Sequence, residues 1–258
     1  MKKTYSFALL AAVVCCNSLF AQTISLVKDI NPAGHSFPYS LVKLDNLVYF
    51  IANDGVHGEE LWKTNGKERK TELAFDFNPG SAGCNPQFIY EYKNALYFAA
   101  NNGNSGMQLW KSDGTLQGTV QLTNAANSTT NPSGDFSITG YKGNVYFSFN
   151  DGVHGNELWI TDGTMQGTHI VKDFTQGIAE TSPVNFFVFK DKLFFIGEAP
   201  IDTRALYITD GTEQGTMEFF NCNEEGCRYP TVLDDQLFFV SDDSIFSHPN
   251  NELYISDG

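Results

Sequence analysis

An all-β fold, a β-propeller of about five four-stranded antiparallel blades, is predicted by three observations. A leucine–aromatic pair recurs at Leu61-Trp62, Leu109-Trp110, Leu158-Trp159, Leu206-Tyr207 and Leu253-Tyr254, with spacings of 48, 49, 48 and 47. Each interval holds four short runs of β-branched and aromatic residues separated by Gly, Asn, Asp and Pro. No segment sustains a helical period. A four-stranded meander cannot bury both of its faces alone. Radial stacking of equivalent sheets solves that problem, whereas a β-solenoid would need shorter coils without consecutive hairpins.

The elements follow in order. Residues 1–21 read as a secretory signal: Lys2 and Lys3 precede the apolar run FALLAAVVCC (7–16), and Ala21 is a cleavage point. The run is too short to span a membrane, and no other segment reaches the ~18 apolar residues a spanning helix needs. A lipoprotein signal acylated at Cys15 or Cys16 is the rival, but Val14 and Cys15 are poor residues before a lipidated cysteine. Residues 22–258 carry the repeats. Each unit has a first strand such as PVNFFVFKD (183–191). The second strands are LVYFIAN (47–53), ALYFAAN (95–101), NVYFSFN (144–150), KLFFIGE (192–198) and QLFFVSD (236–242). A polar loop follows, best preserved as DGVHGEE (54–60) and DGVHGNE (151–157), and leads to the Leu-Trp strand. Then come the turns SDGTLQGT (112–119), TDGTMQGT (161–168) and TDGTEQGT (209–216), and a short fourth strand such as HIVKDF (169–174).

The ends of the chain bear on ring closure. TISLVKDI (23–30) is a fourth strand with no blade before it, and ELYISDG (252–258) is a third strand with no fourth after it. Either the first completes the last blade by strand exchange, giving a closed five-bladed ring, or the chain is a piece of a larger ring that stops inside a turn motif.

The pattern Glu-Leu-Trp-x-Thr-Asp-Gly-Thr-x-x-Gly-Thr-x-x-Val-Lys-Asp, nearly complete at residues 157–173 and partial at 109–119 and 206–216, resembles the ELWxxDGT, or hyalin-like, repeat family. The resemblance covers nearly all of residues 22–258. It implies an exported bacterial surface protein without an established enzymatic activity, often carrying a sorting domain for an outer-membrane secretion system. The chain departs from the pattern in three places. It has no sorting domain, the first turn reads KTNGKE (63–68), and the fourth polar loop reads APIDTRA (199–205).

Composition narrows the function. The chain is 41% hydrophobic and 14% aromatic, enough for a core, and its formal charge is −14. Loss of Lys2 and Lys3 removes two positive charges and no acid, bringing the exported chain to about −16. Such a surface disfavours nucleic acid and anionic membranes and suits cations or neutral and basic ligands. Three cysteines follow the signal. Cys222 and Cys227 could pair in an oxidising compartment, leaving Cys84.

Two sets of residues are candidate sites. Asp113, Asp162 and Asp210 in the turns could offer calcium a carboxylate, with Thr hydroxyls and carbonyls beside it; one carboxylate per turn is few for calcium. The rival reading makes each turn hairpin chemistry, with Gly supplying positive φ and Asp and Thr bonding nearby amides. On that reading Trp159 packs between blades. Meander topology puts those turns at one face and the DGVHG loops at the other. There Asp54, His57, Glu60, Asp151, His154 and Glu157 are the candidate ligand-binding groups, again with a hairpin reading as rival. Blades 1 and 3 are not neighbours, which argues against one shared metal. No nucleophile elbow, zincin, P-loop or dinucleotide motif is present, and the acids recur with the repeat instead of forming one unique pair.

The function expected is therefore an exported, non-enzymatic module that binds a glycan or a protein partner, with no cofactor apart from the calcium alternative. A propeller glycosidase or lyase would need an acidic cluster confined to one or two blades. A structural spacer within a larger surface protein is the other alternative. Asn127-Ser128-Thr129 matches a glycosylation sequon by pattern only.

Overall fold

A computed structural model describes residues 24–125, 136–174, 181–199, 203–222, 226–242 and 251–258. The signal segment and the Asn127 sequon lie outside the described residues. Five antiparallel sheets follow one another along the chain. Blade 1 holds β1 (Tyr39–Leu44), β2 (Leu47–Asn53), β3 (Glu59–Thr64) and β4 (Glu72–Leu73). Blade 2 holds β5 (Gln87–Tyr92), β6 (Ala95–Asn101), β7 (Met107–Ser112) and β8 (Val120–Gln121). Blade 3 holds β9 (Ile138–Tyr141), β10 (Asn144–Asn150), β11 (Asn156–Thr161) and β12 (His169–Lys172). Blade 4 holds β13 (Val184–Phe189), β14 (Lys192–Ala199), β15 (Thr203–Thr209) and β16 (Met217–Asn221). Blade 5 holds β17 (Arg228–Leu233), β18 (Gln236–Asp242) and β19 (Asn251–Ser256). In every sheet the strands pair in sequence order, so each blade is a meander. The chain is a β-propeller.

The order of the sheets follows from short-range chemistry. Tight turns join the first two strands of each blade; those at Lys93-Asn94 and Lys190-Asp191 hold two consecutive residues at positive φ. That is the hairpin turn whose twist matches the strands. The first strands touch each other from blade to blade: β1 lies against β5, β5 against β9, and β9 against β13.

The core lies between blades. Tyr49, Ile51 and Leu61 of blade 1 pack against Leu96, Phe98 and Trp110 of blade 2. Tyr97 and Leu109 pack against Val145, Phe147 and Phe149. Tyr146, Leu158 and Ile160 pack against Leu193, Phe195 and Tyr207. Phe194, Ile196 and Leu206 pack against Leu237 and Phe239. A blade thus buries its apolar faces only through its neighbours, the property that makes repeat stability a sum of interfaces. The leucine of the repeating pair shows it directly. Leu61, Leu109, Leu158 and Leu206 are at most 1% exposed, whereas Leu253 is 69% exposed, because among the described residues no further sheet covers β19.

The strand exchange expected for closure is not made. Residues 24–30 form no strand, and β17, β18 and β19 are the only strands of blade 5 among the described residues. Residues 24–30 lie on blade 1 instead. Ile30 packs on Phe50 and Trp62, and Lys28 Nζ donates to the Thr71 carbonyl at 2.8 Å. Lys172 of β12 makes the same bond to Thr216 of blade 4, also at 2.8 Å. The segment therefore keeps a fourth strand's contact with the blade after it while pairing with no strand before it.

Candidate functional site

The turn between third and fourth strands is a closed set of hydrogen bonds. In blade 3 the Thr161 and Thr168 hydroxyls lie 2.6 Å apart, and Thr168 Oγ1 also donates to the Thr164 carbonyl. Asp162 Oδ1 accepts from Thr164 N at 2.8 Å and from Thr164 Oγ1 at 2.7 Å. Thr164 Oγ1 in turn accepts from Gly167 N. The same bonds recur around Asp113 in blade 2 and Asp210 in blade 4. The hydroxyl and amide donors hold all three aspartates below the ordinary carboxylate range. In blade 1 the departure from the motif is tolerated: the Thr64 and Thr71 hydroxyls still meet at 2.6 Å, and Asn65 replaces the aspartate as acceptor.

The Asp-Gly glycine has a second duty. Gly114, Gly163 and Gly211 all sit near φ +90; a Cβ would collide with the Tyr49 hydroxyl at Gly114 and the Tyr146 hydroxyl at Gly211, and at Gly163 with Lys111 Nζ beside the Tyr97 hydroxyl, all from the preceding blade. The turn therefore docks its blade on its neighbour as well as reversing the chain. These turns supply one carboxylate each, with Oδ1 already engaged. Among the described residues no group of three or more His, Cys, Asp or Glu converges on a point that could hold a metal.

The two DGVHG loops are near-identical objects. Asp54 Oδ1 accepts from Val56 N and His57 N, and its Oδ2 lies 2.7 Å from His57 Nδ1. Asp151 does the same for Val153 and His154, again at 2.7 Å. Burial alone would raise both aspartates, but the histidine and backbone donors outweigh it and lower them. Their carboxylates raise His57 and His154 through the side-chain hydrogen bond. This rigid frame leaves Val56 and Val153 at the loop tips, 64% and 61% exposed. The valines escape a sequence search for polar groups; their repetition at the same place in both loops is the signal that finds them.

Glu60 and Glu157 belong elsewhere. Both are fully buried and do not stand on the loop surface where the sequence placed them. Each is paired to the second strand one residue after the loop, on its inward side. Glu60 accepts from the backbone of Phe77 and Asn78, each at 3.3 Å, and from the Cys84 thiol at 2.9 Å. It thereby anchors the connection from blade 1 to blade 2. Gln108 takes this place in blade 2, where Oε1 accepts from Thr123 Oγ1 and Ala125 N. Burial raises Glu60, and burial beside Glu60 pushes the Cys84 thiol far up. Cys84 is free, buried and unreactive in that form. Cys222 and Cys227 are joined, with Cα atoms 5.2 Å apart. The pair ties the end of β16 to the start of blade 5.

The structure thus brings Asp54 to His57 and Asp151 to His154, in two loops separated by blade 2, and draws the glutamates away from both. No helix among the described residues is long and apolar enough to cross a membrane.

No protein-family model matches the chain, and no curated protein matches its sequence. Solved structures do share its fold. A puromycin hydrolase S511A mutant complexed with PGG aligns over 81% of this chain at 13% identity, with a TM-score of 0.51. One of two prolyl endopeptidases aligns over 86% at 8% identity, with a TM-score of 0.50. The chain spans about a third of the length of each, 34% and 35%. The β-propeller domain of the Trilobed protease from Pyrococcus furiosus, described as having an open velcro topology, aligns over 87% of this chain and 70% of its own at 13% identity, with a TM-score of 0.49. At such identities the likeness is one of fold.

Proposed function

We propose that this chain is an exported, non-enzymatic propeller module that binds a glycan or a protein partner, related to the ELWxxDGT repeats its motif resembles. The carrying observation is the duplicated loop: a valine held exposed beside a half-exposed histidine, on a frame whose aspartate spends its oxygens on the loop itself. An apolar tip with a polar neighbour on a rigid scaffold suits recognition. Two equivalent loops suit avidity toward a repetitive surface. The remaining candidate carboxylates support the same reading, since Glu60 bonds backbone and the turn aspartates bond threonines.

The test is a glycan array and a panel of purified extracellular matrix proteins, probed with the protein and with a Val56→Ser/Val153→Ser variant. Binding that is lost in the variant supports the assignment. Equal binding by both would remove the loops from the site, and reducing sugar released from any polysaccharide would overturn the non-enzymatic reading.

A further inference from the structure

The four blade interfaces, and the face of blade 1 on which residues 24–30 lie, are built alike at one position, with one exception. Fifteen residues after Trp62, Trp110, Trp159 and Tyr207 stand Phe77, Ala125, Phe174 and Cys222, and Ile30 holds the same place before blade 1. Phe77 and Phe174 face the aromatic third-strand residue of the next blade. Phe77 meets Trp110 edge-on with centroids 4.6 Å apart, and Phe174 meets Tyr207 at 4.9 Å. Ile30 packs on Trp62, with Lys28 over the indole at 5.7 Å. At blade 5 the cysteine is tied in a disulfide, and Phe220, two residues earlier, brings a ring to Tyr254 at 5.3 Å.

Among the described residues, only the interface between blades 2 and 3 has no such cover: Ala125 supplies a single methyl. Among the described residues the ring contacts of Trp159 are with Phe147 and Phe149 of its own blade. Trp62 and Trp110 are 5% and 7% exposed, while Trp159 is only partly buried. A groove of about 430 Å³ opens there, lined by Trp159, Phe149 and Met165, with Asn124, Asp151 and Val153 at its rim. That volume lies within the ~300–1,000 Å³ of small-molecule sites. Asp151 and Val153 belong to the blade 3 DGVHG loop, so the groove adjoins one of the two proposed binding loops.

We propose that the groove over Trp159 is a saccharide subsite that takes one neutral pyranose ring. The assignment rests on the reading of the chain as a binding module. An indole with an open face offers the apolar C–H side of a sugar ring a platform, and its rim offers hydroxyl partners. The exposed Asn124 amide provides both a donor and an acceptor. Asp151, in a chain of net charge −14, selects against an anionic sugar. The blade 1 loop has no matching groove because Ile30 and Lys28 cover Trp62.

The test uses intrinsic fluorescence, since the chain has three tryptophans and two are buried. The protein is titrated with cellotriose, maltotriose and chitotriose. At least one should shift the emission. Ala125→Phe, which restores the residue found at equivalent interfaces, should hold or raise the melting temperature and weaken that sugar about tenfold or more. Asn124→Ala leaves the core untouched and should also weaken it, which keeps the test valid if Ala125→Phe misfolds. Val232→Ser, at an exposed position of blade 5 outside both loops and the groove, should leave the response unchanged. Absence of any response to the three sugars, or equal affinity in Ala125→Phe, overturns the proposal. A response to a phenylalanine-containing peptide with none to sugars overturns it in favour of a protein partner. In either case glycan or protein binding lost on Val56→Ser/Val153→Ser would leave the broader reading standing.

Discussion

The hydroxyls of Thr161 and Thr168, seven residues apart, lie 2.6 Å from each other across the base of the blade 3 turn. The pair recurs as Thr64 with Thr71, Ser112 with Thr119, and Thr209 with Thr216. Thr161 is fully buried and accepts from Gly163 N, so its hydroxyl proton depends on this partner. Thr168→Val should cost about 1–3 kcal/mol, the usual range for stranding a buried hydroxyl. Thr161→Val/Thr168→Val should cost less than the two single changes together. Urea unfolding of the double-mutant cycle measures the coupling, and strict additivity would remove the pair from the account.

The buried acid of blade 1 has a built-in control. Gln108 performs in blade 2 the backbone anchoring that Glu60 performs in blade 1. Glu60→Gln should therefore leave stability within about 1 kcal/mol of the starting protein, whereas Glu60→Ala should cost about 2–3 kcal/mol by stranding the Phe77 and Asn78 amides. Thermal melts of both variants decide it. Because burial raises Glu60, ionising it opposes folding, so Glu60→Gln should also flatten the loss of stability as pH rises through the carboxylate range.

Gly211 stands against the Tyr146 hydroxyl at φ +94. Gly211→Ala should cost more than about 1 kcal/mol for the backbone alone. Adding Tyr146→Phe should recover only the part due to the collision. A full recovery would show that φ contributes nothing. Burial first, then Tyr141 and Asp210, push the Tyr146 phenol up to about 12, so spectrophotometric titration should find it neutral well above pH 10.

The turn aspartates set an acid limit. Asp113, Asp162 and Asp210 are lowered by their threonine donors, so the stability they contribute is present above the unfolded carboxylate value of about 3.9. It is lost as pH falls through the folded values. Changing all three to Asn should shallow the acid limb of a melting-temperature profile. Melts in EDTA and in millimolar calcium should coincide, and a calcium-dependent rise would make the turns metal ligands after all.

The loop histidines run with the opposite sign. Their aspartates raise His57 and His154, so the pairs add stability below the unfolded histidine value of about 6.5 and lose it as pH rises through the folded values. NMR titration should place both above the unfolded histidine value, and Asp54→Asn should lower His57 without moving His154.

Much of the site was legible in the residues because turn chemistry is local. Asp-Gly-Thr carries its donors and acceptors within a few positions, so spacing supported the hairpin reading of the turn, whereas the pairing of Asp54 with His57 and of Asp151 with His154 was seen only in the structure. Glu60 and Glu157 were misplaced because a sequence assigns a strand residue to a face only after its neighbours are known. The Glu60 side chain turns inward at the start of the third strand, toward a connection that is itself seventeen residues away. The bulges of the first strands were invisible for a related reason: Ser40, Phe88, Asn185 and Tyr229 take φ of 52 to 55 where no glycine marks the place.

Period, strand order and turn chemistry were determined by the chain alone, since each is set by contacts within about fifty residues and repeated from blade to blade. Three things needed the tertiary structure. It decided that residues 24–30 lie on blade 1 without pairing to β19, that Leu253 stays exposed where four equivalent leucines are covered, and that Ala125 leaves Trp159 open. These depend on what one blade presents to the next, and packing between surfaces is written in no single segment.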